Sequence, residues 1–102
     1  SPRPRTHPDA TDLCPEVLER LEHLDDVVFD AIAGNPNAME ELQVLWPQLL
    51  GQLGEEILAE SRQQYLRWAL ASLESRLDPQ ADYDPDRALQ AVEVMCLLLE
   101  NV

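Results

Sequence analysis

The side chains of this chain that could carry out chemistry are few and lie far apart. The candidate nucleophiles are Cys14, Cys96, Ser61, Ser72 and Ser75. Nucleophilic catalysis requires such a group within hydrogen-bond reach of a base, most often a histidine. All five fall inside helical patterns, and only His7 and His23 are present to serve as the base. The sequence therefore predicts no catalytic residues.

Metal and cofactor sites are not predicted either. A carboxylate-bridged metal site in a helical bundle needs Glu-x-x-His pairs on two helices, and neither histidine stands three residues after a glutamate. His23 is expected on a solvent-facing helix surface, beside Glu19. The three glycines do not have the spacing of a phosphate-binding loop. We therefore expect no cofactor.

The charge of the chain narrows the classes of partner. Twenty acidic residues against seven basic ones give a formal net charge of −13. Nucleic acids and anionic membranes both require clustered basic side chains, so neither is expected as a partner. A cationic protein would be attracted, although surplus acidity also keeps a small protein soluble. Because no signal peptide or membrane-length apolar run is present, a cytoplasmic location is expected.

The two cysteines, Cys14 and Cys96, lie near opposite ends of the chain. Each falls within an apolar helical pattern, which favours a small buried hydrophobic side chain in an intracellular protein. In a secreted protein, a disulfide between the first and last helices is the alternative. The sequence leaves their pairing open.

The length of 102 residues fits one domain with a single core. Residues 1–12 contain three prolines and are expected to form an extended or disordered tail. Residues 13–102 carry apolar side chains at every third or fourth position, which predicts an all-α domain. We expect an antiparallel bundle of about four helices.

Local signals place the boundaries of these helices. The first is expected over 15–33, and the second begins after an N-cap at Asn37 and continues through Pro47 with a kink. A break or bend is expected near Gly51 to Gly54, where the second and third helices join. The third helix, expected over 55–77, has an unusually wide apolar surface, so we expect it to be central and covered on two sides. The last begins at Asp84-Pro85.

Two charged residues, Asp25 and Arg62, interrupt the apolar stripes of the first and third helices. A buried charge is costly unless it is paired. One interpretation is that Asp25 and Arg62 meet across the core and fix the register of these helices. The other is that each lies at the edge of its stripe and reaches water, with the arginine extending along the surface.

The last helix has more apolar residues than one packing face needs. Its main stripe is predicted to contain Ala88, Leu89, Val92, Met95, Cys96 and Leu99. Val94, Leu97 and Leu98 extend the apolar surface toward the back, and Tyr83 lies in an acidic loop before the helix. We interpret these four residues as an interface with another protein or a second copy of the chain. The alternative is that Val94, Leu97 and Leu98 are covered within one subunit, by the second helix or by further parts of a longer protein.

The sequence thus favours a noncatalytic, acidic module for protein–protein interaction or self-association. Two alternatives stay open. One is a small helical enzyme or ligand-binding bundle with a pocket between the aromatic residues of the second and third helices. The other is an acidic inhibitor of a basic partner, whose binding would weaken with added salt.

Overall fold

The computed structural model describes residues 14–100, which form four helices and no strand. The helices are α1 (Pro15–Ile32), α2 (Pro36–Leu50), α3 (Glu55–Leu77) and α4 (Pro85–Leu99). The predicted all-α fold is confirmed, whereas the tail expected for residues 1–12 lies outside the described residues. None of the four helices combines the length and apolar character needed to span a membrane.

Proline and capping side chains set the helix starts. Pro15, Pro36 and Pro85 stand in the first turn of α1, α2 and α4, where a missing N–H is tolerated. The Oδ1 atom of Asp84 accepts the N–H of Arg87 at 3.2 Å, which caps α4 as predicted.

The N-cap of α2 differs from the prediction. Asn35, and not Asn37, is the capping residue, and its Oδ1 atom accepts the N–H of Asn37 at 2.9 Å and of Ala38 at 3.4 Å. The reason is that Pro36 takes the first helical position, which makes Asn35 the residue before the helix. The helix then runs through Pro47, as predicted.

The helices form two antiparallel hairpins. In the first, Arg20 near the start of α1 donates to Gln52, just after the end of α2, at 2.6 Å. In the second, Arg62 in the first half of α3 donates to the carbonyl of Leu98 near the end of α4 at 2.8 Å. The two hairpins are joined through the bend at 51–54.

The inner pair of helices is α1 and α4, each of which packs against the three other helices, while α2 and α3 have little contact with each other. The prediction that α3 is the central helix is therefore wrong. On α3, only Leu58, Ser61, Tyr65 and Ala69 are buried. The core is filled mainly by side chains of α1, α2 and α4. The largest fully buried side chains are Trp46, Tyr65, Leu21, Leu24, Leu42, Leu98, Val28, Val94 and Ser61.

Gly34 ends α1 in a backbone conformation that favours glycine, with φ of 106°. A Cβ atom there would lie 2.9 Å from Cγ of Arg87. We expect Gly34→Ala to lower the free energy of unfolding by about 1–2 kcal/mol, because an L residue is strained at this φ. Gly54 is the control, since its φ is −65° and its surroundings are open. Urea unfolding should show Gly54→Ala neutral or slightly stabilising, and equal losses for both variants would contradict the strain.

Candidate functional site

The buried carboxyl of Asp25 has a different partner from the one predicted. Asp25 is 5% exposed on α1, and its Oδ1 atom accepts a hydrogen bond from the hydroxyl of Tyr65 on α3. Within the described residues, no ion pair joins Asp25 to Arg62. The expected link between α1 and α3 is present, but Tyr65 makes it where Arg62 was predicted.

Arg62 instead connects α3 to α4 and α2. Its Nε donates to the Leu98 carbonyl at 2.8 Å, and its Cζ lies 5.4 Å from the centroid of the Trp46 ring. The last carbonyls of a helix have no donor within that helix, and α4 has no basic residue in its last turn. Arg62 therefore supplies both a donor and a positive charge to the C-terminus of α4.

The proposed interface residues of α4 are part of the core. Val94 and Leu98 are 0% exposed and Leu97 is 9% exposed, so the interpretation of these three as an open interface is wrong. They are covered within one subunit, which is the alternative stated above. Helix α4 is rotated relative to the predicted stripe, because Val94 and Leu98 lie on the side that faces the inner packing. Tyr83, the fourth predicted interface residue, is 59% exposed in the loop between α3 and α4.

The large apolar side chains that are exposed lie mostly on the second hairpin. Leu70 and Leu77 on α3 are 50% and 52% exposed, and Leu89 and Leu99 on α4 are 59% and 51% exposed. We call these four leucines the hairpin face. Tyr83 lies in the loop that joins their two helices. Elsewhere in the described residues, Phe29 and Val44 are the large apolar side chains with comparable exposure.

The four leucines lie on the parts of α3 and α4 that face away from α1, with Leu89 and Leu99 about 80° apart around α4. On α3, Leu77 follows Leu70 by two helical turns, and Leu70 lies about 140° around the helix from Tyr65, which faces α1. On α4, Leu99 lies about 180° around the helix from Gln90, whose side chain donates to α1. The hairpin face is therefore the side of α3 and α4 that α1 does not cover.

The spacing of apolar residues placed Leu89 and Leu99 in the main stripe of the last helix, and it places Leu70 and Leu77 in the apolar stripe of the third helix. The signal that indicates otherwise is the width of the apolar surface on α3 and α4, which exceeds what the neighbouring helices can bury. On α3, the small residues Ser61 and Ala69 mark the buried side, because close helix packing needs small side chains there. Leu70 and Leu77 lie well to one side of the line that joins Ser61 and Ala69 along α3.

The α1–α4 contact is completed by a polar side chain. The Nε2 atom of Gln90 lies 2.9 Å from the carbonyl of Ala31 and 2.9 Å from that of Asn35. Each carbonyl also accepts a backbone N–H, from Gly34 and from Met39 at 3.1 Å, so Gln90 adds a second donor to each. Gln90 thus holds the first loop against the start of α4.

The aromatic residues form a packed cluster between α1 and α3. The rings of Phe29 and Trp68 meet edge to face with centroids 6.0 Å apart, and Tyr65 lies 5.2 Å from Trp68. Trp46 is fully buried on α2, and its indole N–H has no hydrogen-bond partner in the described part of the chain. These contacts are typical of core packing.

The two cysteines are both exposed and unpaired, so the prediction that they are buried is wrong. Cys14 precedes α1, and Cys96 lies on the outer side of α4. His23 is exposed on α1 as predicted, and its Nε2 atom lies 2.8 Å from a carboxylate oxygen of Glu41 on α2. Among residues 14–100, no three His, Cys, Asp or Glu side chains are grouped as a metal site requires.

No protein-family model, curated protein or solved structure matches this chain.

Proposed function

We propose that this protein is a noncatalytic interaction module that binds another protein through the hairpin face. The observation that carries the proposal is the concentration of exposed leucines on α3 and α4. Each of the four leucines keeps half or more of its surface in contact with water. Covering apolar surface contributes roughly 25 cal/mol per Å², so a partner that covers all four gains affinity from each.

A different protein suits this face better than a second copy of the chain. Two copies each carry a net charge of −13, and their association is opposed by that repulsion at low ionic strength. A neutral or cationic partner meets no such repulsion. The acidic character of the chain and the position of its exposed leucines therefore favour a heterologous partner.

The test is a comparison of single glutamine variants. Leu70→Gln and Leu99→Gln remove apolar surface from the hairpin face, and Val44→Gln makes the same kind of change on α2, where Val44 is 69% exposed. Because these positions are exposed, all three variants should unfold within about 0.5 kcal/mol of the parent protein. Cross-linking and capture in the native host should recover a partner with the parent protein and with Val44→Gln. Leu70→Gln and Leu99→Gln should each recover at least tenfold less of that partner.

Two outcomes would contradict this proposal. In the first, the hairpin-face variants capture the same proteins as Val44→Gln, which means that the leucines do not contact the partner. In the second, light scattering shows a dimer of the parent protein that Leu70→Gln or Leu99→Gln converts to a monomer. That result would establish self-association as the use of the hairpin face.

A further inference from the structure

A second open surface lies between α2 and α4, whose mutual contact is the smallest of the packed helix pairs. The groove between them has a volume of about 520 Å³. Met39, Gln43 and Pro47 line it from α2. Its other wall is α4, which contributes Val92, Glu93, Cys96, Leu97 and Glu100. None of the four leucines of the hairpin face lines it.

The inner part of this groove is apolar. Met39 and Leu97 are 8% and 9% exposed and form its base, while Val92 is half-buried and Pro47 and Cys96 are exposed. Apolar side chains that enter from outside would contact this base and be removed from water. A whole helix, about 10 Å in diameter, does not fit, but the side chains along one of its faces do.

The charged groups of the groove are carboxylates. Glu93 and Glu100 lie on α4 seven residues apart, which places them along the same side of the helix. On α2, Pro47 has no N–H, so the carbonyl of Gln43 lacks the donor that it would have in an uninterrupted helix. Among residues 14–100, no basic side chain lines the groove. Its charge is therefore complementary to lysine or arginine.

We propose that the α2–α4 groove binds an amphipathic helix of a cationic protein partner. Apolar side chains at every third or fourth position of that helix enter the groove, as in other helix-in-groove complexes. Lysine or arginine side chains beside them reach Glu93, Glu100 and the carbonyl of Gln43. A second copy of this chain is a poor occupant, because its own surplus of acidic residues would face the same carboxylates.

The probe is a fluorescein-labelled peptide of leucine and lysine, about 18 residues long so that it can form a helix, with leucines at helical spacing. Its affinity for the full chain is measured by fluorescence anisotropy. Cys96→Arg should weaken binding at least tenfold, because the arginine fills the groove and pairs with Glu93 and Glu100, three residues before it and four after it. Cys14→Arg is the matched control, since Cys14 is also exposed and the change in charge is identical. It should bind like the parent.

A second pair of variants separates local contact from general attraction. Glu93→Gln with Glu100→Gln should weaken binding several-fold and reduce its dependence on salt. Glu55→Gln with Glu56→Gln makes the same change in net charge on the exposed start of α3 and should have a smaller effect. Equal losses in both double variants, or equal binding by Cys96→Arg and Cys14→Arg, would overturn the proposal.

The peptide itself also needs controls. A peptide of the same composition with the leucines shuffled out of helical spacing should bind at least tenfold more weakly. Replacement of every lysine by glutamate should abolish binding. The proposal is overturned if either control binds as well as the probe, or if the probe does not bind the parent protein. Loss of a dimer in Cys96→Arg by light scattering would instead identify a second copy as the occupant.

Discussion

Replacing Leu98 with alanine should lower the free energy of unfolding by about 2–5 kcal/mol, whereas Leu99→Ala should change it by less than about 0.5 kcal/mol. The two leucines are neighbours in sequence, yet Leu98 is 0% exposed and Leu99 is 51% exposed. Truncation of a buried leucine loses its contacts and leaves a cavity, and truncation of an exposed one does neither. The intrinsic helix preferences of leucine and alanine differ little.

The measurement is urea or thermal unfolding monitored by circular dichroism. Because the two variants differ only in position, the comparison reports directly on how α4 is rotated in the bundle. A large loss for Leu99→Ala with a small one for Leu98→Ala would mean that α4 packs through the stripe of Leu89, Val92 and Leu99. That is the orientation first predicted from the sequence.

Tyr65→Phe is expected to destabilise the fold by about 1–3 kcal/mol, because the hydroxyl of Tyr65 donates to the buried carboxyl of Asp25. The ring is kept, so packing against Trp68 is preserved and the loss reports mainly on the hydrogen bond. Tyr83→Phe removes the same hydroxyl from a tyrosine that is 59% exposed, and it should be neutral. Equal effects of the two variants in urea unfolding would mean that the Tyr65 hydroxyl contributes nothing in the core.

A double-mutant cycle can assign the partner of Asp25. Asp25→Ala combined with Tyr65→Phe should show a coupling of at least about 0.5 kcal/mol, as contacting residues do. Asp25→Ala combined with Arg62→Gln should be additive, because Arg62 donates to Leu98. Strong coupling in the second cycle would restore the ion pair that was inferred from the sequence.

Much of the helix arrangement could be predicted because local signals are strong. Gly54 and the Asp78-Pro79 pair flank a periodic segment, and α3 spans the residues predicted between them. Local reasoning failed where two signals lay close together. Asn35 and Asn37 can each cap a helix. The sequence pattern alone did not show that Pro36 takes the first helical position, which makes Asn35 the N-cap.

The packing of the helices could not be predicted, because it depends on which surfaces meet. Most positions on α4 are apolar, so its sequence supports more than one buried side, and the contacts with α1 and α3 decide among them. The sequence of α3 also supports more than one buried side, and its apolar spacing placed Leu70 in the buried stripe. The exposure of the leucines in the hairpin face could therefore not be predicted without knowing which helices pack against each other.

The buried polar pair shows a further limit. The sequence marked Asp25 correctly as a polar residue in an apolar stripe, and charge alone suggested Arg62 as its partner. The neutral hydroxyl of Tyr65, three residues further along α3 than Arg62, donates to Asp25. The spacing of apolar residues predicts that Tyr65 is buried, but it does not show whether the Tyr65 hydroxyl donates a hydrogen bond.

The two indole rings lie on different helical hairpins, and each has its own optical environment. Trp46 on α2 is sealed from solvent, while Trp68 on α3 is half-buried beside Phe29 and Tyr65. In the native protein, Trp46 should emit at shorter wavelength and resist quenching by acrylamide, and Trp68 should be partly quenched. Variants that keep only one of the two tryptophans would therefore show, by their fluorescence emission, whether the two hairpins unfold together or one after the other.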